Sequence, residues 1–379
     1  MTKQCSLCPD PLTEENQSRE HIIPNCIGGR RKTSGFICNT CNNDFGKEWE
    51  KVLAEQFLWF SLSVGIVRER GESPNLKVKV IDGTELLLRN DGSLTLAKPS
   101  YSETETEDGK IKIQMSARTE EEARRLARGI QRKYPNSDLQ ASLDHMLTEH
   151  SYLDKPINLS LQFGGPYAGR SMVKTALALA SDYDVDVDFC SKALTYLKDP
   201  SPDAPPPFGL CYSTDLVINR PVDSIFHCVA VTGIPSVGKI LGYVEYYNFA
   251  RILIELGDGF AGDAFYHSYS IDPTTGIESD IQIDFSSALS DLEKNLSANS
   301  YNLEEFKKAA DYILPIVLKK NFAREQSRVV ESATNFAFQA LGVKPGESLD
   351  ASRAQEFASI VMEKIMPFLA THIAGRVRG

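Results

Sequence analysis

Two Cys-x-x-Cys pairs, Cys5 with Cys8 and Cys38 with Cys41, can each present two thiolates to one tetrahedral ion. Together they supply the four-cysteine set favoured by structural zinc. Of the chain's eight cysteines, five lie in the first 41 residues, while Cys190, Cys211 and Cys228 are scattered far downstream. Clustering of that kind speaks for metal rather than disulfides. Cys26, the fifth, is expected to pack as a small apolar residue. Residues 9–37 are looped out between the pairs, and this insert carries Ser18-Arg19-Glu20-His21-Ile22-Ile23-Pro24 and Gly28-Gly29. The second pair runs directly into Asn42-Asn43-Asp44-Phe45-Gly46.

Glu20-His21-Ile22-Ile23-Pro24, then Gly28-Gly29, then Cys38-x-x-Cys41-Asn42-x-x-Phe45-Gly46 resembles the HNH endonuclease superfamily. The resemblance is to its zinc-bearing ββα-metal branch and covers residues 1–60. It implies a metal-dependent endonuclease that hydrolyses phosphodiester bonds, DNA before RNA. His21 matches the histidine that deprotonates the attacking water, a task suited to an imidazole titrating near neutrality. Glu20 and Asn42 resemble ligands of a catalytic Mg²⁺ or Mn²⁺, and oxygen donors suit such a hard cation. One departure stands out: the middle asparagine of many HNH motifs, which orients the histidine, should fall near Thr33 or Ser34, and no asparagine is there. A non-catalytic zinc module that binds nucleic acid or a protein partner is the alternative, with His21 and Asn42 merely supporting the loop.

The charge balance bears on the partner. A net charge of -10 is unusual for a protein that grips phosphate. Residues 1–70, however, hold nine basic and nine acidic residues, so the acidic excess lies downstream. The local basic triplet Arg30, Arg31 and Lys32 could contact phosphates or be a solvated loop. No stretch reads as a signal peptide or a membrane span, so a cytoplasmic protein with no membrane partner is expected. The acidic remainder is left to sense, gate or oligomerise through a regulatory partner, a ligand or a second copy. That arrangement suits a bacterial anti-phage defence effector held quiet until triggered.

Those residues must be positioned by the elements around them. Residues 1–44 have little apolar periodicity, as suits a small module held by metal. From Asn42 to Phe60 the set Phe45, Trp49, Val52, Leu53, Phe57 and Phe60 recurs at three- and four-residue steps, which predicts a helix tying the module to the rest. Alternating runs with Asp-Gly turns between residues 76 and 117 predict antiparallel hairpins, and Thr119 to Lys133 predicts a capped helix. Arg170 to Ala180 and Phe189 to Leu197 also read as helices, and the Pro-rich Asp199 to Phe208 as a loop. Residues 225–284 are strand-like, and Ser287 onward reads as three or four helices, Leu303 to Lys320 and Ala351 to Ala374 the clearest. The expected fold is α+β, with an HNH module at 1–60, an α+β region at 61–200 and a strand-rich then helical segment at 209–379.

Two further motifs resemble ligand sites. Gly233 to Lys239 fits most of a phosphate loop, but Ile240 stands where Ser or Thr should bind Mg²⁺, and a second strand follows, so a hairpin turn is expected. Asp182, Asp184, Asp186 and Asp188 lack the glycine and closing glutamate of a calcium loop and read as a polar turn with a helix N-cap. His145, His150, His227, His267 and His372 have no metal or catalytic spacing and are expected to be structural.

Overall fold

The computed structural model describes residues 3–135, 153, 155–290, 292–297, 302–344 and 346–378, with side chains as far as His372. The fold is α+β, and the chain separates into two compact units, 1–74 with 161–321 and 75–160 with 322–379. The N-terminal segment shares the first unit with residues 161–321, and the helical segment that the apolar spacing predicted ties it in.

That segment begins earlier and is interrupted. Asn39–Phe45 (α1) continues through a π-type turn at Gly46–Glu50 into Lys51–Gln56 (α2), and after a break at Phe57 into Leu58–Val64 (α3). Phe57 and Phe60 are buried and stack within 5.4 Å of Tyr247. Phe60 also faces Phe249 at 5.7 Å. Aromatic burial on this scale makes the N-terminal segment part of a larger core.

That core is built on a six-stranded antiparallel sheet. Its strands are Phe208–Leu210 (β3), His227–Ile234 (β4), Lys239–Tyr246 (β5), Ala250–Asp258 (β6), Phe265–Ile271 (β7) and Glu278–Ser279 (β8). Their spatial order is β8-β7-β4-β5-β6-β3, and every pair is antiparallel. β4, β5 and β6 are buried along nearly their whole length, so both faces are covered, which is why they read as almost unbroken apolar runs. One face carries the cluster that includes the N-terminal module and the helix Pro166–Asp182 (α4). The other carries Leu216, Phe226, Ile281, Ile283 and Phe285.

Every residue of α4 from Ala168 to Ser181 is buried. It starts with Pro166 at its first position, where the missing N–H costs nothing. Ser191–Lys198 (α5) follows a short 3₁₀ turn, and the loop up to Phe208 is irregular, as its prolines require. Gly233 to Lys239 is a hairpin turn, with Ile234 opposite Lys239 and Gly238 in the left-handed region at φ 66°. Asp186 caps the 3₁₀ turn by accepting from the Asp188 N–H.

The second unit holds a four-stranded antiparallel sheet ordered Leu94–Leu96, Glu85–Leu88, Leu76–Val80 and Ile157–Asn158. It also holds the hairpin of Ser100–Glu105 with Ile111–Ser116. Glu120–Lys133 is the expected helix, with the Thr119 hydroxyl accepting from the Glu122 N–H. Among the described residues, four helices lie between Phe285 and Arg378, ending with Leu303–Ala340 and Ala351–Arg378. No helix among the described residues is long and apolar enough to cross a membrane. His145 and His150 lie outside the described residues.

Candidate active site

The N-terminal module starts from a hairpin of Gln17–His21 (β1) and Lys32–Cys38 (β2), with His21 opposite Lys32. Ser6 donates its hydroxyl to the Phe36 carbonyl at 2.8 Å, and the Cys38 N–H donates to Cys5 Sγ at 3.3 Å. These bonds lay the first cysteine pair against the end of β2, where Cys38 caps α1 by accepting from the Cys41 N–H. The four sulfurs of Cys5, Cys8, Cys38 and Cys41 lie within 4.8 Å of one another. Four thiol donors so gathered fit one tetrahedral zinc. Cys26 stands apart, its thiol directed at the Glu50 carbonyl at 3.7 Å.

Gly28 and Gly29 of the insert meet steric demands. Gly28 has φ 100°, a conformation other residues rarely adopt, and an added Cβ would meet that of Pro273 at 2.8 Å. At Gly29 an added Cβ would fall 1.7 Å from the Ile23 carbonyl oxygen. The loop is pinned from the sheet by His227, which is fully buried and whose Nε2 donates to the Ile27 carbonyl at 2.8 Å. Its Nδ1 accepts from the Tyr247 N–H at 3.0 Å, so the ring is neutral, and burial pushes its pKa down to about 4.

Along β1, successive side chains alternate between faces, and the outcome for the site is decisive. Ser18 and Glu20 point inward, whereas Arg19 and His21 do not. His21, at the open end of the strand with 17% of its side chain exposed, forms a 2.8 Å bond from Nε2 to Glu69 Oε2. Lys32 Nζ meets the other oxygen of the same carboxylate at 2.6 Å. Bonds from Lys32 and His21 hold the Glu69 pKa down at about 2. Burial lowers the His21 pKa from its ordinary value, opposed by the bond to Glu69.

Glu20 is buried, and its carboxylate is bonded by the ammonium of Lys174, which α4 brings in. Glu50, at the end of the π-type turn, meets the same ammonium at 2.5 Å. Lys174 itself is 1% exposed. Burial pushes the Glu20 pKa up to about 7 even with Lys174 beside it. At Glu50 burial also works upward, but attraction to Lys174 outweighs it and holds the pKa below the ordinary value. Two carboxylates sharing one ammonium leave a formal surplus of one negative charge, which favours a proton or a further cation. Asn42 lies on α1, and its amide donates to Ser18 Oγ at 3.0 Å, leaving its oxygen as an acceptor. Glu20 and Glu50 thus meet at the Lys174 ammonium, while Asn42 is held by Ser18.

The basic triplet has internal partners. Arg30 donates to the Val67 carbonyl at 2.9 Å, and Arg31 pairs with Asp182 at 2.6 Å and lies over the Tyr183 ring. Lys32 is held by Glu69. Three members of the site, Glu50, Glu69 and Lys174, were not among the residues singled out from the sequence. A lysine in the middle of a largely apolar helix is the one signal that could have pointed to Lys174.

Residues 5–58, which hold both cysteine pairs, the β1–β2 hairpin and the helical segment as far as Leu58, match the family model described as HNH endonuclease. No curated protein and no solved structure matches the chain.

Proposed function

We propose that the protein is a metal-dependent endonuclease acting on DNA, with His21 as general base and a divalent ion held by Glu20 and Asn42. The observation that carries this reading is the His21 imidazole at the open end of the hairpin, still reachable by solvent, inside the segment matching HNH endonucleases. In this reading His21 takes a proton from water as its oxygen attacks phosphorus, and the bond to the 3′ oxygen breaks. When bound, Mg²⁺ or Mn²⁺ would stabilise charge on the phosphate and the leaving oxygen. Zinc at Cys5, Cys8, Cys38 and Cys41 is structural and takes no part in the chemistry. Phosphate contacts by Arg30, Arg31 and Lys32 would be shared with Val67, Asp182 and Glu69. A nuclease module tied to a large acidic body is consistent with a cytoplasmic anti-phage defence effector.

A second reading, a zinc module that binds nucleic acid or a protein partner without cleaving, is favoured by one observation: Lys174 already neutralises Glu20. Incubation of plasmid DNA, linear DNA and RNA with the purified protein and Mg²⁺ or Mn²⁺ separates the two. Cleavage that EDTA stops and added Mg²⁺ restores is expected; binding without cleavage under every ion supports the second reading.

A further inference from the structure

We propose that Glu69, outside the matched HNH segment, is the positioning residue that fixes the orientation and tautomer of His21. The proposal rests on the reading of His21 as general base. The motif position that would ordinarily orient the histidine has no asparagine, since β2 carries Thr33 and Ser34 there. Glu69 takes that place from another part of the chain.

Its hold on His21 is built from several sides. Cross-strand neighbours His21 and Lys32 bond the two oxygens of one carboxylate, at 2.8 and 2.6 Å. The Glu69 N–H donates to Asn25 Oδ1 at 2.8 Å, and Asn25 Nδ2 donates back to the Arg70 carbonyl at 3.3 Å. Upstream, the Val67 carbonyl accepts from Arg30, and the Val67 N–H donates to the Pro273 carbonyl at 2.9 Å. Downstream, Arg68 donates to the Glu72 carbonyl at 2.8 Å. An ordinary surface ion pair is worth little because both side chains are free to leave it. Here the backbone carrying the carboxylate is fastened to the same insert that carries the histidine.

The chemistry follows from the donor inventory. An ionised carboxylate only accepts, so the proton of the neutral imidazole must sit on Nε2. Nδ1 is then left with its lone pair, the form a base needs. A base oriented through its other nitrogen by a carboxylate is the general logic of hydrolytic dyads and triads. Asn25 acts through the Glu69 backbone, not on the substrate, and Lys32 holds the second oxygen of the same carboxylate.

The test reads the tautomer directly and activity separately. With ¹⁵N-labelled histidine, at a pH where the ring is neutral, the His21 signals are assigned by their loss in His21→Gln. Wild type is expected to carry the proton on Nε2, and both Glu69→Ala and Glu69→Gln to give a mixture, because an amide can donate as well as accept. In cleavage assays both variants should lose 10- to 100-fold in kcat, roughly the effect of removing an orienting partner, with KM within about twofold. Zinc content and the unfolding midpoint of Glu69→Gln serve as fold controls, since this variant keeps the side-chain shape. An unchanged tautomer in both variants, or an unchanged kcat, overturns the proposal. If wild type cleaves nothing, the nuclease reading fails, and the tautomer alone decides the role of Glu69.

Discussion

The carboxylate of Glu20 is bonded by the ammonium of Lys174, 154 residues further along the chain, and both side chains are almost wholly buried. This contact joins the residue before the candidate base to the central helix of the sheet-bearing unit. Removing one partner of a buried ion group leaves an uncompensated charge, which typically costs about 3–5 kcal/mol. Lys174→Met should therefore lower the urea midpoint sharply, and Glu20→Gln combined with Lys174→Met should recover part of the loss. Equal stability of Lys174→Met and wild type would show that the contact does not hold the module in place.

The zinc assignment makes a sharper distinction among cysteines. Cys8→Ser and Cys38→Ser should each lower bound zinc and the thermal midpoint, because each removes a thiolate from the four-sulfur cluster. Cys26→Ser should leave zinc content unchanged, since its thiol faces the Glu50 carbonyl. Metal analysis of the three purified variants checks this, and zinc loss in Cys26→Ser would contradict it.

Acid stability should report on His227. Its folded pKa, about 4, lies below the ordinary histidine value of 6.5, so the unfolded chain binds the proton more readily between those values. The stability it contributes is complete above pH 6.5 and is lost as the pH falls to 4, by roughly 3 kcal/mol if no other group intervenes. His227→Gln should flatten this limb in denaturant titrations at stepped pH. An unaltered slope would mean that the buried ring is not the group responsible.

Glycine substitutions offer a steric check on the insert. Gly29→Ala drives its Cβ into the Ile23 carbonyl and should destabilise by about 2 kcal/mol or more. Gly46→Ala, in helical geometry with nothing near its added Cβ, should instead stabilise by roughly 0.5–1 kcal/mol. Thermal unfolding of the pair distinguishes them, and a neutral Gly29→Ala would contradict the packing described.

What could be read from the sequence divides along a physical line. The cysteine cluster was legible because two short spacings fix it locally, and the Gly233 to Lys239 turn because Ile240 spoils the phosphate-loop pattern. The helical run after Cys41 was legible from its apolar steps, but not its π-type turn, which leaves no pattern of its own and yet brings Glu50 to Lys174. Glu69 left no signal in the sequence, and Lys174 left only that of a lysine within a largely apolar helix. Each reaches the site through tertiary packing, Glu69 by a loop fastened to Asn25 and Lys174 by the buried helix α4. The packing of Phe57 and Phe60 against Tyr247 and Phe249 was hidden for the same reason, since those partners lie about 190 residues further along the chain.

The most direct test of the central claim is DNA cleavage by His21→Ala beside wild type, with Mg²⁺ or Mn²⁺ present and zinc measured in both. The account predicts that the variant keeps its zinc and its unfolding midpoint and loses cleavage by a factor on the order of 100 or more, as expected for removal of a general base. Undiminished cleavage by a zinc-loaded His21→Ala would contradict it.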